Sequence, residues 1–558
     1  MRAWICSLLL VLPICANAQT VSILHNAHIV SGEFSGKPAA EKRASAMAWR
    51  EGRVLALGDV DTLRKAYPDA VQIDGGGAHV LPGLIDAHGH LFNLGYSLLN
   101  ADLKGVDSKP EIVFRLQAFA AELPADAWLL GRGWDQNRWA DKAFPSSADL
   151  DVAFPNRPVW LERVDGHAGW ANSAALRSLD ADTQAKLKDA DWQPDGGLII
   201  RKNGAPTGVF VDTAAALVER AVPAASAALR ERALRRALDE AVRWGLTGVH
   251  DMGVSAADMA VMRRFADAEQ LPLRITAYAD GDNAALAGLC AFGAYRHASG
   301  RLQMRGVKLY ADGALGSRGA ALIEPYSDEP AQRGLLVTQP EGLRRAMLKA
   351  RDCGLQVAAH AIGDRGNRIL LDLFSEVLKG RSDHRWRIEH AQVVDLADIP
   401  RFAALRIAAS MQPTHATSDM PWAGARVGAD RLRGAYAWRR FLDSGADLPL
   451  GSDFPVEAVN PMLGLHAAIT RQDSHSQPPG GWLPDQLLNR HEALRGFTLA
   501  AAKAGFAESE VGLLAPGKRA DFVMLDADYF GVADPRVAEL SVQSTWVDGE
   551  VVFRRAAE

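Results

Sequence analysis

Residues 80–90, VLPGLIDAHGH, form an apolar stretch of strand type that ends in two histidines. Side chains two positions apart on an extended segment point the same way, so His88 and His90 share one side. Two neutral imidazoles directed at one point are what a divalent metal requires of its first two ligands. Because the pattern H-x-H is common, its meaning depends on the rest of the chain.

The middle of the chain alternates between apolar runs of strand type and helical stretches. The strand-like runs are residues 246–250, 273–278, 306–310, 355–360, 387–390, 407–411 and 448–453. Residues 227–244 and 343–353 are helical in pattern. Repeated strand–helix units predict an α/β fold with a parallel sheet. With the strand before His88 the count reaches about eight, the number that closes a (β/α)8 TIM barrel.

Both ends of the chain differ from this middle. Residues 19–80 and 506–558 contain short β-rich runs separated by turn residues. They predict a small β-sandwich domain formed by the N- and C-terminal segments, with the TIM barrel spanning residues 81–505. The segment from about 100 to 225 is rich in Trp, Pro and Gly and breaks the barrel rhythm. We predict that it is a large insertion after barrel strand 1, lying over the mouth of the barrel.

Residues 1–18 have the composition of a signal peptide. Arg2 supplies the positive start, residues 3–14 are mostly apolar, and Ala16-Asn17-Ala18 is a small-x-small cleavage site. The apolar run is short for a membrane span, which takes about 20 residues. We therefore predict that the mature chain begins at Gln19, has no membrane span, and is exported to a bacterial periplasm or secreted. A buried N-terminal strand or helix is the alternative.

The composition argues against two classes of partner. A formal net charge of −5 gives no basic surface for nucleic acid, and no basic tail supports binding to a membrane. Cys290 and Cys353 are the cysteines left after signal cleavage, so the chain has no disulfide framework. A single bridge between them is allowed, but nothing in the sequence favours it. The oligomeric state stays open, with a homodimer as one option.

Residue types that bind metals stand at the ends of several predicted strands. They are His88, His90, Lys308, His360, His390 and Asp453. In a barrel the C-terminal ends of the strands converge on one face, where active sites lie, so these six side chains would meet. Each taken alone has an ordinary explanation as a rim histidine, a lysine with a solvated head or a capping aspartate. Their combination favours one shared site.

The same residues carry a resemblance to a known family. Residues 81–90, the single histidines at two successive strands and the Asp of Gly451-Ser452-Asp453 resemble the motifs of the amidohydrolase superfamily. Residues 307–318, VKLYADGALGSR, and 164–173, VDGHAGWANS, resemble its amidohydrolase-3 (YtcJ-like) branch, which includes N-substituted formamide deformylases. Residues 512–521, GLLAPGKRAD, resemble the superfamily's return into its sheet domain. The resemblance covers nearly all of the mature chain.

What the resemblance implies is a site for one or two divalent metal ions. The more buried ion would be held by His88, His90 and Asp453, and the second ion by His360 and His390. Lys308 would bridge the two ions after carboxylation to N6-carboxylysine, because a free ammonium group has no lone pair to offer a metal. A mononuclear site with unmodified Lys308 stays open.

The reaction that this site implies is hydrolysis. Imidazole and carboxylate ligands suit Zn2+, with manganese, iron or cobalt as less suitable ions. A bound ion lowers the pKa of water to about 7 and polarises a carbonyl group. Asp453 is the predicted proton shuttle between the water and the departing nitrogen. The predicted substrate is a small molecule with an amide, formamide or cyclic amide bond.

Four further residues are weaker candidates for contact with substrate. They are His167, His250, Arg318 and Trp134. A structural turn, core packing and a salt bridge are the respective alternatives for the first three. Trp134, like Trp139 and Trp170, could instead anchor the insertion.

Two other functions are compatible with the sequence. The same site could hydrolyse esters, lactones, phosphotriesters or dipeptides, since metal hydroxide does not select the bond by itself. A non-catalytic periplasmic protein that binds a metal or another ligand is the alternative from a different class. Asp453 argues against it, because a pure binder has little need of a proton shuttle. The physiological substrate does not follow from the sequence.

Overall fold

The protein is described by a computed structural model that covers residues 20–35, 40–121, 123–124, 127–281 and 283–556. The predicted signal peptide, residues 1–18, lies outside the described residues, as does Gln19. Signal cleavage and export therefore stay predictions. Among the described residues, none of the helices combines the length and the apolar character needed to cross a bilayer.

The strands fall into four sheets. In chain order they are β1 Ser22–His25, β2 His28–Ser35, β3 Ala40–Ala44, β4 Ala46–Arg50, β5 Arg53–Gly58, β6 Val71–Asp74, β7 His79–Pro82, β8 Leu84–Gly89, β9 Ala101–Asp102, β10 Leu129–Trp134, β11 Val159–Arg163, β12 Ala168–Ala171, β13 Gly197–Lys202, β14 Ala205–Asp212, β15 Leu246–Val254, β16 Arg274–Asp280, β17 Tyr295–Arg296, β18 Leu302–Tyr310, β19 Gln356–Ala361, β20 Arg387–His390, β21 Ala408–Ser410, β22 Phe522–Leu525, β23 Val542–Val547 and β24 Glu550–Arg554.

The α-helices cover the barrel and fill the connections. In chain order they are α1 Val60–Ala66, α2 Leu91–Ser97, α3 Lys109–Ala120, α4 Ser147–Asp151, α5 Ser173–Arg177, α6 Ala181–Leu187, α7 Ala216–Glu219, α8 Ala227–Arg243, α9 Ala256–Asp267, α10 Asn283–Phe292, α11 Pro340–Asp352, α12 Asp364–Leu378, α13 Ile399–Leu405, α14 Pro413–Asp419, α15 Ala423–Leu432, α16 Trp438–Asp443, α17 Pro461–Thr470, α18 Arg490–Arg495 and α19 Ala501–Ala504. A π-helical turn, Gly496–Ala500, joins α18 to α19.

The barrel is a parallel sheet in the order β8-β15-β16-β18-β19-β20-β21. Its strands are buried almost throughout, as expected when helices cover the outside and side chains fill the inside. Helix α8 shows how the cover packs, because its buried residues Ala233, Leu234, Ala237, Leu238, Ala241 and Val242 recur every three or four positions. The predicted α/β barrel is confirmed.

An irregular eighth segment, residues 447–454, closes the barrel. On one side its backbone accepts hydrogen bonds from Ala409 and Met411, and on the other side from Ala87. The sequence predicts a strand here, but the structure shows an extended segment without regular pairing. Pro449 has no N–H to donate, and Asp453 adopts a left-handed φ of 62°, so an unbroken ladder cannot form.

The two ends of the chain build two small sheets. One has the order β5-β4-β1-β6, and the other combines both ends in the order β24-β23-β22-β7-β2-β3. Trp49, Phe522 and Trp546 pack together in the core of this region, with the Phe522 and Trp546 rings stacked at 5.0 Å. The sandwich contributed by both ends, expected from the sequence, is present.

The insertion after the first barrel strand has its own sheet and core. Its strands run in the order β13-β14-β12-β11-β10-β9. Trp134, Trp139 and Trp170 pack against one another inside it. Trp134 is fully buried and donates its indole N–H to the Leu161 carbonyl at 2.8 Å. The predicted contact of Trp134 with substrate is therefore not supported, because the side chain anchors the insertion instead.

Cys290 and Cys353 form a disulfide, with Cα atoms 5.3 Å apart. The bond links α10 to the residue that follows α11, across 63 residues of sequence. The sequence left this pairing undecided, because the two cysteines come together only when the barrel has packed its outer helices.

We expect the disulfide to stabilise the folded chain. Closing a loop of this length removes conformational entropy from the unfolded state, worth up to about 4 kcal/mol. Replacing both cysteines with Ser should lower the free energy of unfolding measured in guanidinium. The wild type in reducing agent is the matched control and should behave like the double variant. Equal stability of oxidised and reduced wild type would contradict the prediction.

Candidate metal centre

A cavity of about 970 Å³ lies at the C-terminal ends of the barrel strands. Barrel residues form its floor, and insertion residues such as Arg132, Arg163 and His167 form one wall. The floor residues include five of the six predicted ligands, His90, Lys308, His360, His390 and Asp453. His88 is completely buried beneath them.

The tightest group in the floor consists of His88, His90 and Asp453. Oδ1 of Asp453 lies 3.0 Å from Nε2 of His90 and 3.5 Å from Nε2 of His88. One ligand atom from each of the three residues lies within 4.8 Å of the others. The H-x-H spacing places both rings on the same side of the end of β8, as the sequence predicts.

Hydrogen bonds fix the orientation of these imidazoles. Nδ1 of His88 lies 2.5 Å from Oε2 of Glu389, and Nδ1 of His90 lies 2.8 Å from the Met252 carbonyl. Both partners accept hydrogen bonds, so each Nδ1 carries a proton, and the neutral form of either ring has its lone pair on Nε2. Such partners on the far nitrogen are typical of histidines that bind metals.

His390 is held in the same way. Its Nδ1 lies 2.8 Å from Oε1 of Gln412, whose amide nitrogen donates to the Ser410 carbonyl at 3.2 Å. The amide oxygen is therefore the acceptor, and Nε2 of His390 is free of a proton. The His390 ring lies 4.8 Å from that of His88 and 4.6 Å from that of His360.

Electrostatics keep these rings neutral. Burial is the main cause that lowers the pKa of His88, His360 and His390 well below that of a free histidine. The charge of Lys308 acts in the same direction on all three. The imidazoles of His88, His360 and His390 are therefore neutral nitrogen donors.

Lys308 lies in the barrel interior with 1% of its surface exposed. Its Nζ is 3.1 Å from Nε2 of His88. Burial lowers the pKa of Lys308 to about 8, although Glu389 and Asp453 act in the opposite direction. A substantial fraction of the amine is thus neutral near pH 8, which is the form that reacts with carbon dioxide.

The donor set fits a divalent cation. With the protons on Nδ1, Nε2 of His90 and Oδ1 of Asp453 are two acceptors 3.0 Å apart, and Nε2 of His88 adds a third. Asp453 Oδ1 and His360 Nε2 are buried without a hydrogen-bond partner within the described part of the chain. Buried lone pairs arranged in this way require positive charge between them. Nitrogen and oxygen donors suit zinc.

Two carboxylates near the centre have structural roles. Asp86 accepts hydrogen bonds from Ser452 and from the His88 N–H, and thereby ties the last barrel segment to the first strand. Asp312 accepts from three backbone N–H groups and lies 3.6 Å from Nε2 of His360. Burial raises the pKa of each to about 7.

His167 lies on the insertion wall, with its ring 5.3 Å from that of His360. Its Nδ1 is 2.7 Å from Oδ1 of Asp212. Burial opposes protonation, but Asp212 and the nearby charge of Asp165 outweigh it and raise the pKa of His167. The insertion thus presents an imidazole to the metal-binding floor, where the predicted contact with substrate is sterically open.

The structure does not bring His250 and Arg318 to this cavity. Nδ1 of His250 accepts a hydrogen bond from Arg387 at 2.9 Å, inside the barrel and away from the floor. Arg318 pairs with Asp328 at 3.0 Å and does not line the cavity. The geometry therefore does not support a substrate contact for either residue, and the alternatives of packing and a salt bridge describe them.

Two residues of the centre were not singled out from the sequence. His415 lies in α14 with Nε2 3.6 Å from Oδ2 of Asp453. Glu389 is completely buried and joins His88 to Arg387. A carboxylate inside an apolar strand, directly before a predicted ligand, was a signal for Glu389, since buried acids are nearly always paired. His415 follows a strand end by several residues, which hides it from a search for ligands at strand ends.

A sequence model described as the amidohydrolase family matches residues 72–553. Among curated relatives, "Putative amidohydrolase YtcJ" of Bacillus subtilis (strain 168) is 33% identical over 92% of this chain and 97% of its own length. An N-substituted formamide deformylase of Arthrobacter pascens is 27% identical over 94% of this chain and 98% of its own length. The fold is also similar to the crystal structure of an uncharacterized metal-dependent hydrolase from Pyrococcus horikoshii. That similarity has a TM-score of 0.75 at 28% identity and covers 92% of this chain and 99% of that one.

We expect Glu389→Gln to weaken metal binding. The amide can still lie against His88, but it no longer supplies negative charge to the imidazole, and Arg387 loses its ionic partner. Partners of this kind are typically worth 10–100-fold in metal affinity. Competition with a chromophoric chelator would measure the change.

The control for this experiment is Glu376→Gln, which removes an exposed carboxylate paired with Arg344 on the protein surface. It should leave metal affinity unchanged. If Glu389→Gln also retained the affinity of the wild type, Glu389 would have no part in holding the metal ligands.

Proposed function

The chain belongs to the amidohydrolase family, and on that premise we propose that it is a metal-dependent hydrolase of C–N bonds in small molecules. The bond would be an amide, formamide or cyclic amide, and the attacking group would be a water molecule activated by metal. Zn2+ is the proposed ion because imidazole nitrogens and a carboxylate are its preferred ligands in this geometry.

The observation that carries the proposal is the set of lone pairs at the floor of the cavity. His88 and His90 direct Nε2 toward the same carboxylate oxygen of Asp453, and their protons are engaged elsewhere. Nζ of Lys308 lies 3.1 Å from Nε2 of His88, but Oδ1 of Asp453 is buried without a hydrogen-bond partner in the described part of the chain. A divalent cation bound beside the two histidines would satisfy this oxygen.

Different side chains would bind the metal and transfer the proton during hydrolysis. A bound divalent ion would lower the pKa of a water molecule and polarise the carbonyl group of the substrate. His88 and His90 would hold that ion, with Glu389 and the Met252 carbonyl fixing the two rings. Asp453 would take a proton at a carboxylate oxygen and return it to the departing nitrogen, since it borders the cavity beside both histidines.

The insertion wall would position the substrate. His167 is oriented by Asp212 and opens onto the floor, where its ring could donate a hydrogen bond to the substrate carbonyl. Apolar residues, including Leu315 and Trp422, line another part of the cavity. The volume and the mixture of polar and apolar walls suit a small organic amide.

Lys308 would carry a carboxyl group as a bridging ligand between two ions. The support is its complete burial beside His88 and its lowered pKa, which make a reactive neutral amine available. The carbamate would supply two oxygens where the unmodified ammonium supplies none.

Export is also a proposal for this chain. The composition of residues 1–18 is that of a signal peptide. The Cys290–Cys353 disulfide supports a periplasmic or secreted location, since such bonds persist in oxidising compartments. The proposed partner is the small-molecule substrate, with no nucleic acid, and the chain could act as a homodimer.

Asp453→Asn should abolish turnover of an amide substrate while the protein keeps at least one metal ion per chain. The asparagine retains one oxygen ligand but cannot accept the proton, and loss of a general acid–base typically costs 10²–10⁴-fold in rate. Formamide and cyclic-amide libraries provide the assay, and metal content is measured by atomic emission.

The matched control is Asp372→Asn, an exposed carboxylate paired with Arg401, which should leave both quantities unchanged. Chelation should remove activity, and zinc should restore it. Amide hydrolysis by thoroughly metal-free protein would refute the proposed function, and faster turnover of a matched ester would reassign the bond.

Carboxylation of Lys308 should depend on pH. The neutral amine is the nucleophile, so labelling of metal-free protein with 13C bicarbonate should increase as the pH rises through about 8. A carbamate signal in the 13C spectrum of wild type that is missing in Lys308→Gln is the expected result. No carbamate signal at pH 9 would leave Lys308 as an unmodified amine.

A further inference from the structure

His415 approaches Asp453 from a helix, where His90 approaches it from the end of β8. It lies in α14, which begins at Pro413 directly after Gln412, the residue that fixes the His390 ring. The short connection from β21 to α14 thus brings both Gln412 and His415 to the same spot. His415 also lines the cavity.

The geometry of His415 matches that of a ligand. Its Nε2 lies 3.6 Å from Oδ2 of Asp453, and its ring stacks on that of His390 with centroids 5.8 Å apart and an interplanar angle of 19°. One ligand atom from each of His390, His415 and Asp453 lies within 4.8 Å of the others. Among the residues that the structure describes, this is one of two such groups, and the other is His88, His90 and Asp453.

The two oxygens of Asp453 separate these groups. Oδ1 is the oxygen close to Nε2 of His90, at 3.0 Å, and Oδ2 is the oxygen close to Nε2 of His415, at 3.6 Å. The His390 nitrogen 3.9 Å from Oδ2 is Nδ1, which is engaged with Gln412, so His390 would offer its Nε2 to a cation. A carboxylate placed between two groups of imidazoles is suited to bridging two ions, which in paired hydrolase sites lie about 3.5–4 Å apart.

The unpaired state of His415 also points to a ligand. Its Nε2 is buried and has no hydrogen-bond partner in the described part of the chain. A buried imidazole nitrogen is rarely left in this state without an ion or a ligand to bind it. His360 has an unpartnered nitrogen too, but that atom lies 3.6 Å from Oδ1 of Asp312, and His360 belongs to neither group.

We propose that His415 is a ligand of a second divalent cation, which it holds together with His390 and Oδ2 of Asp453. This inference rests on the part of the proposed function that concerns metal binding. It differs in the residues that hold the second ion. In the ligand set that the family resemblance implies, His360 and a carboxylated Lys308 would complete the second site in place of His415.

A titration with Co2+ tests the assignment without an activity assay. Metal-free wild type should bind two equivalents, each with its own visible absorption change. His415→Gln should weaken binding of the second equivalent at least tenfold and leave the first in place. Glutamine keeps the polar character and helical compatibility of the position, and thermal melting of the metal-free proteins checks that the variant is folded.

The control is His475→Gln, an exposed histidine on the rim of the same cavity, which should bind two equivalents like the wild type. A parallel titration of His360→Gln separates the two ligand sets. Loss of the second equivalent in His415→Gln supports the proposal, and its retention in His360→Gln supports this ligand set over the one that contains His360.

Two results would overturn the proposal. One is a His415→Gln variant that binds two equivalents with wild-type affinities. The other is a wild type that binds a single equivalent. A wild type that binds two Co2+ through His415 and hydrolyses no amide would leave this assignment standing and defeat the proposed function instead.

Discussion

The floor of the cavity depends on one close contact between two atoms that can both accept a hydrogen bond, Nε2 of His90 and Oδ1 of Asp453. Nε2 of His90 and Oδ1 of Asp453 lie 3.0 Å apart, and the ring proton of His90 is held by the Met252 carbonyl. In water this contact would separate, because two lone pairs repel each other. The barrel holds the two residues together through the backbone, since the Asp453 N–H donates to the His88 carbonyl at 2.6 Å. A divalent cation bound between the two atoms is the proposed way to relieve this repulsion.

The segment that closes the barrel therefore also positions a candidate metal ligand, Asp453. The last segment departs from regular strand geometry where Asp453 takes a left-handed backbone conformation. Asp86 fastens this segment by accepting from both the N–H and the hydroxyl of Ser452. A left-handed aspartate is uncommon and persists where its surroundings hold it. Here the surroundings are the first strand of the barrel, which carries the two histidines.

Much of this was predictable from the sequence because the signals are local. The H-x-H at the end of an apolar strand and the strand–helix alternation required no knowledge of tertiary contacts. The partners of the imidazoles were harder to predict, because Glu389 contacts His88 only when two residues 301 positions apart in sequence come together. His415 was missed for a related reason, since it reaches the centre from a helix. Trp134 shows the opposite error, where a large aromatic residue suggested a pocket but fills the core of the insertion.

The buried ion pair of Arg387 and Glu389 connects the barrel interior to the metal centre. Both side chains are fully buried, and such pairs seldom add stability compared with apolar residues of similar size. Arg387 also donates to His250 and to the Ala87 carbonyl, so its charge is dispersed over several acceptors. An apolar replacement could pack equally well, but it would leave Nδ1 of His88 without an acceptor. The pair is therefore better explained by the orientation of His88 than by stability.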